Sequence, residues 1–218
     1  MSLRGIIFDH DGTLVDSEGV HFSIWQEILA SMSVSFTKAE YLLHYCGVPT
    51  RKNAEDLVAL HKLPITAEEL YQVKQQRLEQ RLNAIPFPSM PGARTALAQC
   101  QQAGLKVGIA TGANRFELDT SIAAHQFGDF VQATTTRDDV ARSKPAPDTY
   151  LRTLDQLQLS ASEAVAVEDS ATGISAAKAA GMRCIAVAYE FAKGQDLSAA
   201  DYQVDDLTAA AALAISLR

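Results

Sequence analysis

The sequence predicts an α/β protein: a parallel sheet flanked by helices, with an all-helical insert after the first strand. Three observations carry that prediction. Short, continuously apolar runs alternate with helical segments through the second half of the chain. These runs lack the polar alternation of a half-solvated strand, as strands of a sheet covered on both faces do. From residue 16 to residue 86 the pattern is helical only, and the proline-rich "IPFPSMPG" at 85–92 reads as a hinge closing it.

In chain order, Ile6, Ile7 and Phe8 form the first strand, which runs straight into Asp9, Asp11, Gly12 and Thr13. Phe22, Trp25, Ile28, Leu29 and Met32 then recur at helical spacing, with Trp25 expected in the core. A second helix covers roughly 51–61. A third opens on the capping box of Thr66 and Glu69 and runs to about Leu82. Beyond the hinge, a helix over about 92–103 stops at Gly104, and "KVGIAT" is the next buried strand. A helix near 115–125, a short strand near 130–134 and a helix near 147–157 follow. The strand "AVAVED", the helix "ATGISAAKAAG" and the strand "CIAVAY" continue the alternation, and "LTAAAALAISL" suits a closing helix.

At 218 residues and 47% hydrophobic, the chain can bury one substantial core, or a core plus a small appended domain. A formal charge of -7 and a pI near 5.2 argue against a nucleic-acid surface. An anionic substrate stays open, because a few lysines and a metal can reverse the local field. No apolar run is long enough for a membrane span or a secretory signal, so no membrane partner is expected. Cys46, Cys100 and Cys184 show no C-x-x-C spacing, which fits a reducing, cytoplasmic compartment. Cys46, beside Gly47 and with no orienting histidine identified, reads as a free thiol rather than a nucleophile. No segment signals an oligomeric state.

In an open parallel sheet, ligands bind outside the carboxyl ends of the strands. The first strand ends in Asp9 and Asp11, "KVGIAT" in Thr111, and "AVAVED" in Glu168 and Asp169, while "RSKPAPD" puts Lys144 in a loop before a helix. Converging carboxylates repel one another unless a cation is present, and Mg²⁺, a hard ion that prefers oxygen ligands, suits them. With a metal there, a carboxylate can attack a phosphoryl group. Lys144 and the Thr111 hydroxyl can neutralise and orient its oxygens. A second acid two residues on can protonate the leaving oxygen and then activate water. The residues by themselves point to metal-assisted phosphoryl transfer.

Four motifs in order then carry a resemblance over nearly the whole chain: "DHDGTLVDS", "IATGA", "SKPAPDTYL" and "VEDSATGISAAKAAGM". The sequence resembles the haloacid dehalogenase-like hydrolase superfamily, in the branch of β-phosphoglucomutase and small phosphatases. That resemblance implies a Rossmann-like core, residues 1–15 and 87–218, with an inserted helical cap, residues 16–86. It implies Asp9 as nucleophile, Asp11 as general acid/base, and Thr111 and Lys144 as holders of the transferring phosphate. Asp9, the backbone carbonyl of Asp11, and Asp169 would bind Mg²⁺, with Glu168 supporting them. Having Asp11 argues against carbon–halogen cleavage, because the dehalogenase branch lacks a second aspartate there. Gly112 and Ala113 carry no hydroxyl, so their backbone N–H groups are expected to serve the phosphate. His10, by strand alternation, should point away from its aspartate neighbours and serve structure.

The cap segments "DSEGVHFSIW" and "CGVPTRKNAEDL" are similar to those of β-phosphoglucomutase-like proteins. The resemblance makes His21, Gly47, Arg51 and Lys74 the substrate-binding candidates. Against this, Lys74 shares a helix with Arg77 and Arg81, as a solvated basic face would, and His21 suits packing at the hinge. The reading that results is a Mg²⁺-dependent phosphatase of a small phosphorylated metabolite, a sugar phosphate by preference. A β-phosphoglucomutase-type mutase is the alternative. A phosphonoacetaldehyde hydrolase would need a Schiff-base lysine, and the loop around Lys52 matches it poorly. A non-catalytic binding module would have lost the nucleophile or metal acids, and none is lost.

Overall fold

The computed structural model describes residues 2–188 and 195–218. The chain divides into two compact units, Met1–Asp16 with Pro88–Arg218, and Ser17–Phe87.

The first unit is built on a six-stranded sheet in the order β3-β2-β1-β4-β5-β6. Its strands are β1 (Gly5–Phe8), β2 (Lys106–Ala110), β3 (Ala133–Thr135), β4 (Ala164–Glu168), β5 (Arg183–Val187) and β6 (Tyr202–Val204), and every pairing is parallel. The central strands are apolar because both faces are covered. Ile7, Ala110 and Ala166 join a core with Tyr150, Leu154 and Ile174, supplied by helices α7 (Asp148–Leu157) and α8 (Ala171–Ala179). By alternation Ile6, Phe8, Ile109 and Val167 point the other way and are also buried. Helices α5 (Ala93–Gln102) and α9 (Leu207–Ser216) pack against each other, α5 also against β2 and α9 against β5. Helix α6 (Arg115–His125) follows β2.

Gly104 ends α5 with φ +78°, the left-handed stop the sequence implied. Tyr189, placed by the sequence at the end of the fifth strand, lies outside the described residues. The strand expected near 130–134 is β3, shifted to 133–135 because residues 127–129 form a short 3-10 turn.

The second unit holds α1 (Glu18–Ser31), α2 (Lys38–His44), α3 (Thr50–His61) and α4 (Ala67–Ala84). Trp25, Ile28 and Leu29 are buried, as their spacing implied, and the Thr66–Glu69 capping box opens α4. Helix α2 had no sequence signal of its own. It is seven residues long, capped by the Thr37 side chain on Glu40 N–H, and held by the ring cluster of Phe22, Phe36, Tyr41 and Tyr45. Among the described residues no helix is long and apolar enough to cross a membrane. Cys46, Cys100 and Cys184 are buried, and none of them forms a disulfide among the described residues.

Candidate active site

The strand order reverses direction at β1, which has β2 on one side and β4 on the other. That reversal opens a crevice at the carboxyl ends of these strands. Asp9 stands at its floor. Its N–H continues the β1–β4 pairing to Val167 O at 2.9 Å, and its carboxylate is buried.

The chain then turns sharply. The His10 carbonyl accepts from Leu14 N–H at 2.9 Å and Val15 N–H at 3.1 Å, and Gly12 N–H donates to Val15 O at 2.9 Å. The turn brings Asp11 toward the end of β2, where Thr111 Oγ1 lies 3.3 Å from Asp11 Oδ2. Gly12 has φ +74°, and a Cβ there would sit 2.0 Å from Asp169 Oδ2, so backbone and carboxylate meet directly. Thr13 Oγ1 donates to Asp169 Oδ1 at 3.3 Å.

Lys144 enters from the loop before α7, and its peptide bond to Pro145 is cis. Its Nζ lies 2.5 Å from Asp9 Oδ1 and 2.6 Å from Glu168 Oε1. The Tyr150 hydroxyl donates to the same Glu168 oxygen at 2.8 Å, and its ring lies 4.9 Å from Lys144 Nζ. Glu168 Oε2 accepts from Asp169 N–H and Ser170 Oγ, both at 3.3 Å. Glu168 is thus enclosed by partners. Tyr150 was missed by sequence reasoning, although its place six residues after Lys144 on the following helix was a readable signal.

Burial pushes the Asp9 carboxyl up to about 7, with Glu168 and Asp11 adding to the rise and Lys144 opposing it. Burial disfavours the charged form of Lys144, but Asp9 and Glu168 outweigh it and hold the amine above its usual range. The same contest at His10 ends in a raised imidazole pKa, with burial opposed by Asp11, Asp9 and Glu117.

Asp9, Glu168 and Asp169 each offer one oxygen within 4.8 Å of the others. The donors are all hard oxygens, and one lysine does not balance their charge, so the group fits a hard divalent cation. Asp9 and Asp169 could hold such an ion directly, whereas Glu168 is already bonded to Lys144, Tyr150 and Ser170. The Asp11 side chain faces Thr111 and stands outside this carboxylate group.

Two expectations change here. His10 does not point away from its neighbours: its Nδ1 lies 3.4 Å from Asp11 Oδ2. Residue 10 is already past the end of β1, so strand alternation does not govern it. Ala113 N–H donates to Thr111 Oγ1 at 2.9 Å and so is turned inward, not offered to a ligand. The Gly112 carbonyl accepts from Arg137 Nη1 at 3.5 Å.

In the helical unit, Lys74 is not on a solvated face. It is buried, with Nζ 2.8 Å from His21 Nδ1, and His21 also packs edge-on against Phe87. Arg51 is exposed, paired with Glu68 and lying 3.9 Å over the Tyr71 ring. Gly47, at φ +70°, donates its N–H to Glu18 Oε1 at 3.3 Å, and Glu18 also accepts from the Tyr41 hydroxyl. Sequence reasoning passed over Glu18, which ties the start of α1 to this loop.

The family model described as "Haloacid dehalogenase-like hydrolase" matches residues 6–187. Protein CbbY of Rhodobacter capsulatus is 36% identical over 224 residues, covering 99% of this chain and 98% of that protein. The fructose-1-phosphate phosphatase YqaB of Escherichia coli is 26% identical over 185 residues, covering 84% of this chain and 95% of that protein. Among solved structures, that of CbbY from Rhodobacter sphaeroides in complex with phosphate superposes with a TM-score of 0.80. It is 25% identical and covers 94% of this chain and 95% of its own.

Proposed function

The chain belongs to the haloacid dehalogenase-like hydrolase family, and on that footing we propose a Mg²⁺-dependent phosphatase working in the cytoplasm on a small phosphorylated metabolite, preferably a sugar phosphate. The observation that carries this reading is the convergence of buried Asp9, Glu168 and Asp169 on Lys144 at the carboxyl ends of β1 and β4.

Asp9, Asp169 and the backbone carbonyl of Asp11 would hold Mg²⁺, with Glu168 in support, and the ion would offset charge among carboxylates and phosphoryl oxygens. An Asp9 oxygen attacks phosphorus as the bond from phosphorus to the ester oxygen breaks. Asp11 gives its proton to that departing oxygen, so the alcohol leaves neutral. Asp11, now a carboxylate, takes a proton from water as the water oxygen attacks phosphorus. The acyl phosphate bond breaks, releasing inorganic phosphate and regenerating the Asp9 carboxylate. Lys144 and the Thr111 hydroxyl steady the phosphoryl oxygens, with Gly112 N–H assisting.

The helical unit is assigned the role of a cap that excludes water and selects substrate. His21, Gly47, Arg51 and Lys74 are its substrate-binding candidates. The relative named a fructose-1-phosphate phosphatase supports the sugar phosphate preference. A phosphosugar mutase would use the same core and pass the phosphoryl group to a second hydroxyl, and the buried Lys74–His21 pair in a cap similar to that of the mutases favours keeping it as the second reading.

The test is phosphate release with Mg²⁺ from a panel including fructose 1-phosphate and β-glucose 1-phosphate, with glucose 6-phosphate assayed as a second product. Free phosphate that disappears in Asp9→Asn supports the phosphatase. Glucose 6-phosphate without free phosphate makes the protein a mutase.

A further inference from the structure

We propose that His10 is a positioning residue for Asp11, holding the carboxylate that handles the proton in the orientation its task requires. The inference rests on the proposed role of Asp11 as proton donor and then acceptor.

Asp11 Oδ2 is approached by Thr111 Oγ1 at 3.3 Å and by His10 Nδ1 at 3.4 Å. Both groups are anchored independently of Asp11. Thr111 N–H pairs with Thr135 O at 2.9 Å, and its hydroxyl accepts from Ala113 N–H at 2.9 Å. His10 is anchored by its carbonyl, which accepts two backbone N–H groups, and its ring is fully buried.

A buried imidazole carries a desolvation cost that an aliphatic side chain of similar size would not, so its polar atoms need partners. The neighbouring carboxylate is one. Glu117, whose charge also acts on the imidazole, is buried in the first turn of α6, and its Oε1 lies 3.9 Å from Arg137 Nη2. Arg137 N–H in turn donates to Ala113 O at 3.1 Å. Thr111 is thus tied through Ala113 to Arg137 and Glu117, and Asp11 Oδ2 stands between the Thr111 hydroxyl and the buried His10 ring. Catalytic hydrogen bonds are often long before substrate binds, and a contact of 3.4 Å has room to shorten.

A proton donor matters most for a poor leaving group. Fructose 1-phosphate expels an alkoxide that must be protonated, whereas p-nitrophenyl phosphate expels a stable phenolate. The experiment compares kcat and KM for these two esters in the Mg²⁺-loaded parent, His10→Leu, His10→Asn and Asp11→Asn. His10→Leu is expected to lower kcat for fructose 1-phosphate about tenfold, at nearly unchanged KM, and to leave the aryl ester within about threefold. His10→Asn, which keeps an amide donor near the Nδ1 position, restores most of the loss. If His10→Leu fails to fold, His10→Gln, whose amide lies beyond that position, serves as the loss variant.

Equal losses on both esters, or on neither, with the split intact in Asp11→Asn, overturn the proposal and leave His10 a packing residue. Absence of the split in Asp11→Asn, or no turnover by the parent, removes the proton-donor reading itself, and the proposal falls with it.

Discussion

Lys144 Nζ lies 2.5 Å from Asp9 Oδ1, placing a buried cation directly against the proposed nucleophile. The same amine reaches Glu168, so one positive charge is shared by two buried carboxylates. Removing it leaves both without a cation. Lys144→Met is expected to destabilise the metal-free protein by roughly 3–5 kcal/mol, the usual cost of stripping one partner from a buried pair. Urea denaturation measures this, and a loss below about 1 kcal/mol would show that the pair is solvated.

Stability of the metal-free protein should fall as pH rises toward neutrality. The Asp9 carboxyl is raised from 3.8 in the unfolded chain to about 7 in the native state. Below the lower value both states are protonated and the group contributes nothing. Between the two values the unfolded chain ionises first, so stability is lost with rising pH. Asp9→Asn lacks this penalty, and its Tm advantage over the parent should widen from pH 5 to pH 8. A gap independent of pH would contradict the assignment.

Two glycines are fixed by carboxylates. A Cβ on Gly12 would meet Asp169 Oδ2 at 2.0 Å, and one on Gly173 would meet Glu168 Oε1 at 1.9 Å. Gly12→Ala also strains a positive φ. Each alanine variant is expected to lose about 100-fold in kcat/KM, since misplacing by about 1 Å the groups that position the reacting atoms costs that much. Steady-state assays with Mg²⁺ check this, and retention of parent activity would show that the carboxylates move freely.

Arg51 and Lys74 should separate by burial. Arg51 is exposed and pairs with Glu68 on the surface, so Arg51→Ala leaves stability nearly unchanged while raising KM. Lys74 is buried against His21, and Lys74→Met is expected to lower kcat/KM by about tenfold or more, a loss of about 1.4 kcal/mol in transition-state binding. Kinetics beside a thermal melt distinguish the two. Unchanged KM in Arg51→Ala would remove that residue from the substrate contacts.

The core was legible because its signals are local. Apolar runs ending in acids, and Gly104 closing a helix, need only neighbouring residues to be read. Helix α2 escaped because a seven-residue helix rests on ring packing with Phe22 and Phe36, which no window of sequence contains. The three-residue edge strand β6 left equally little trace. Among the site residues, the segments bearing Asp9, Lys144 and Asp169 stood out because charge sits at the ends of apolar strands or in the loop before a helix. His10 was misjudged because strand alternation was extended past the residue where β1 stops. Lys74 looked solvated beside Arg77 and Arg81, since one-dimensional charge spacing does not show which side of α4 is covered. Tyr150 had its short spacing from Lys144 as a signal, but its bond to Glu168, like those of Glu18 to Tyr41 and Gly47, joins residues that only the fold brings near.

The central claim is that Asp9 carries the phosphoryl group. Rapid acid quench of the Mg²⁺ enzyme turning over its best panel substrate, followed by borohydride reduction and peptide mass spectrometry, tests it directly. Conversion of Asp9 to homoserine, absent without substrate, is the predicted result. Steady turnover with Asp9 unmodified, or full activity in Asp9→Asn, would contradict it.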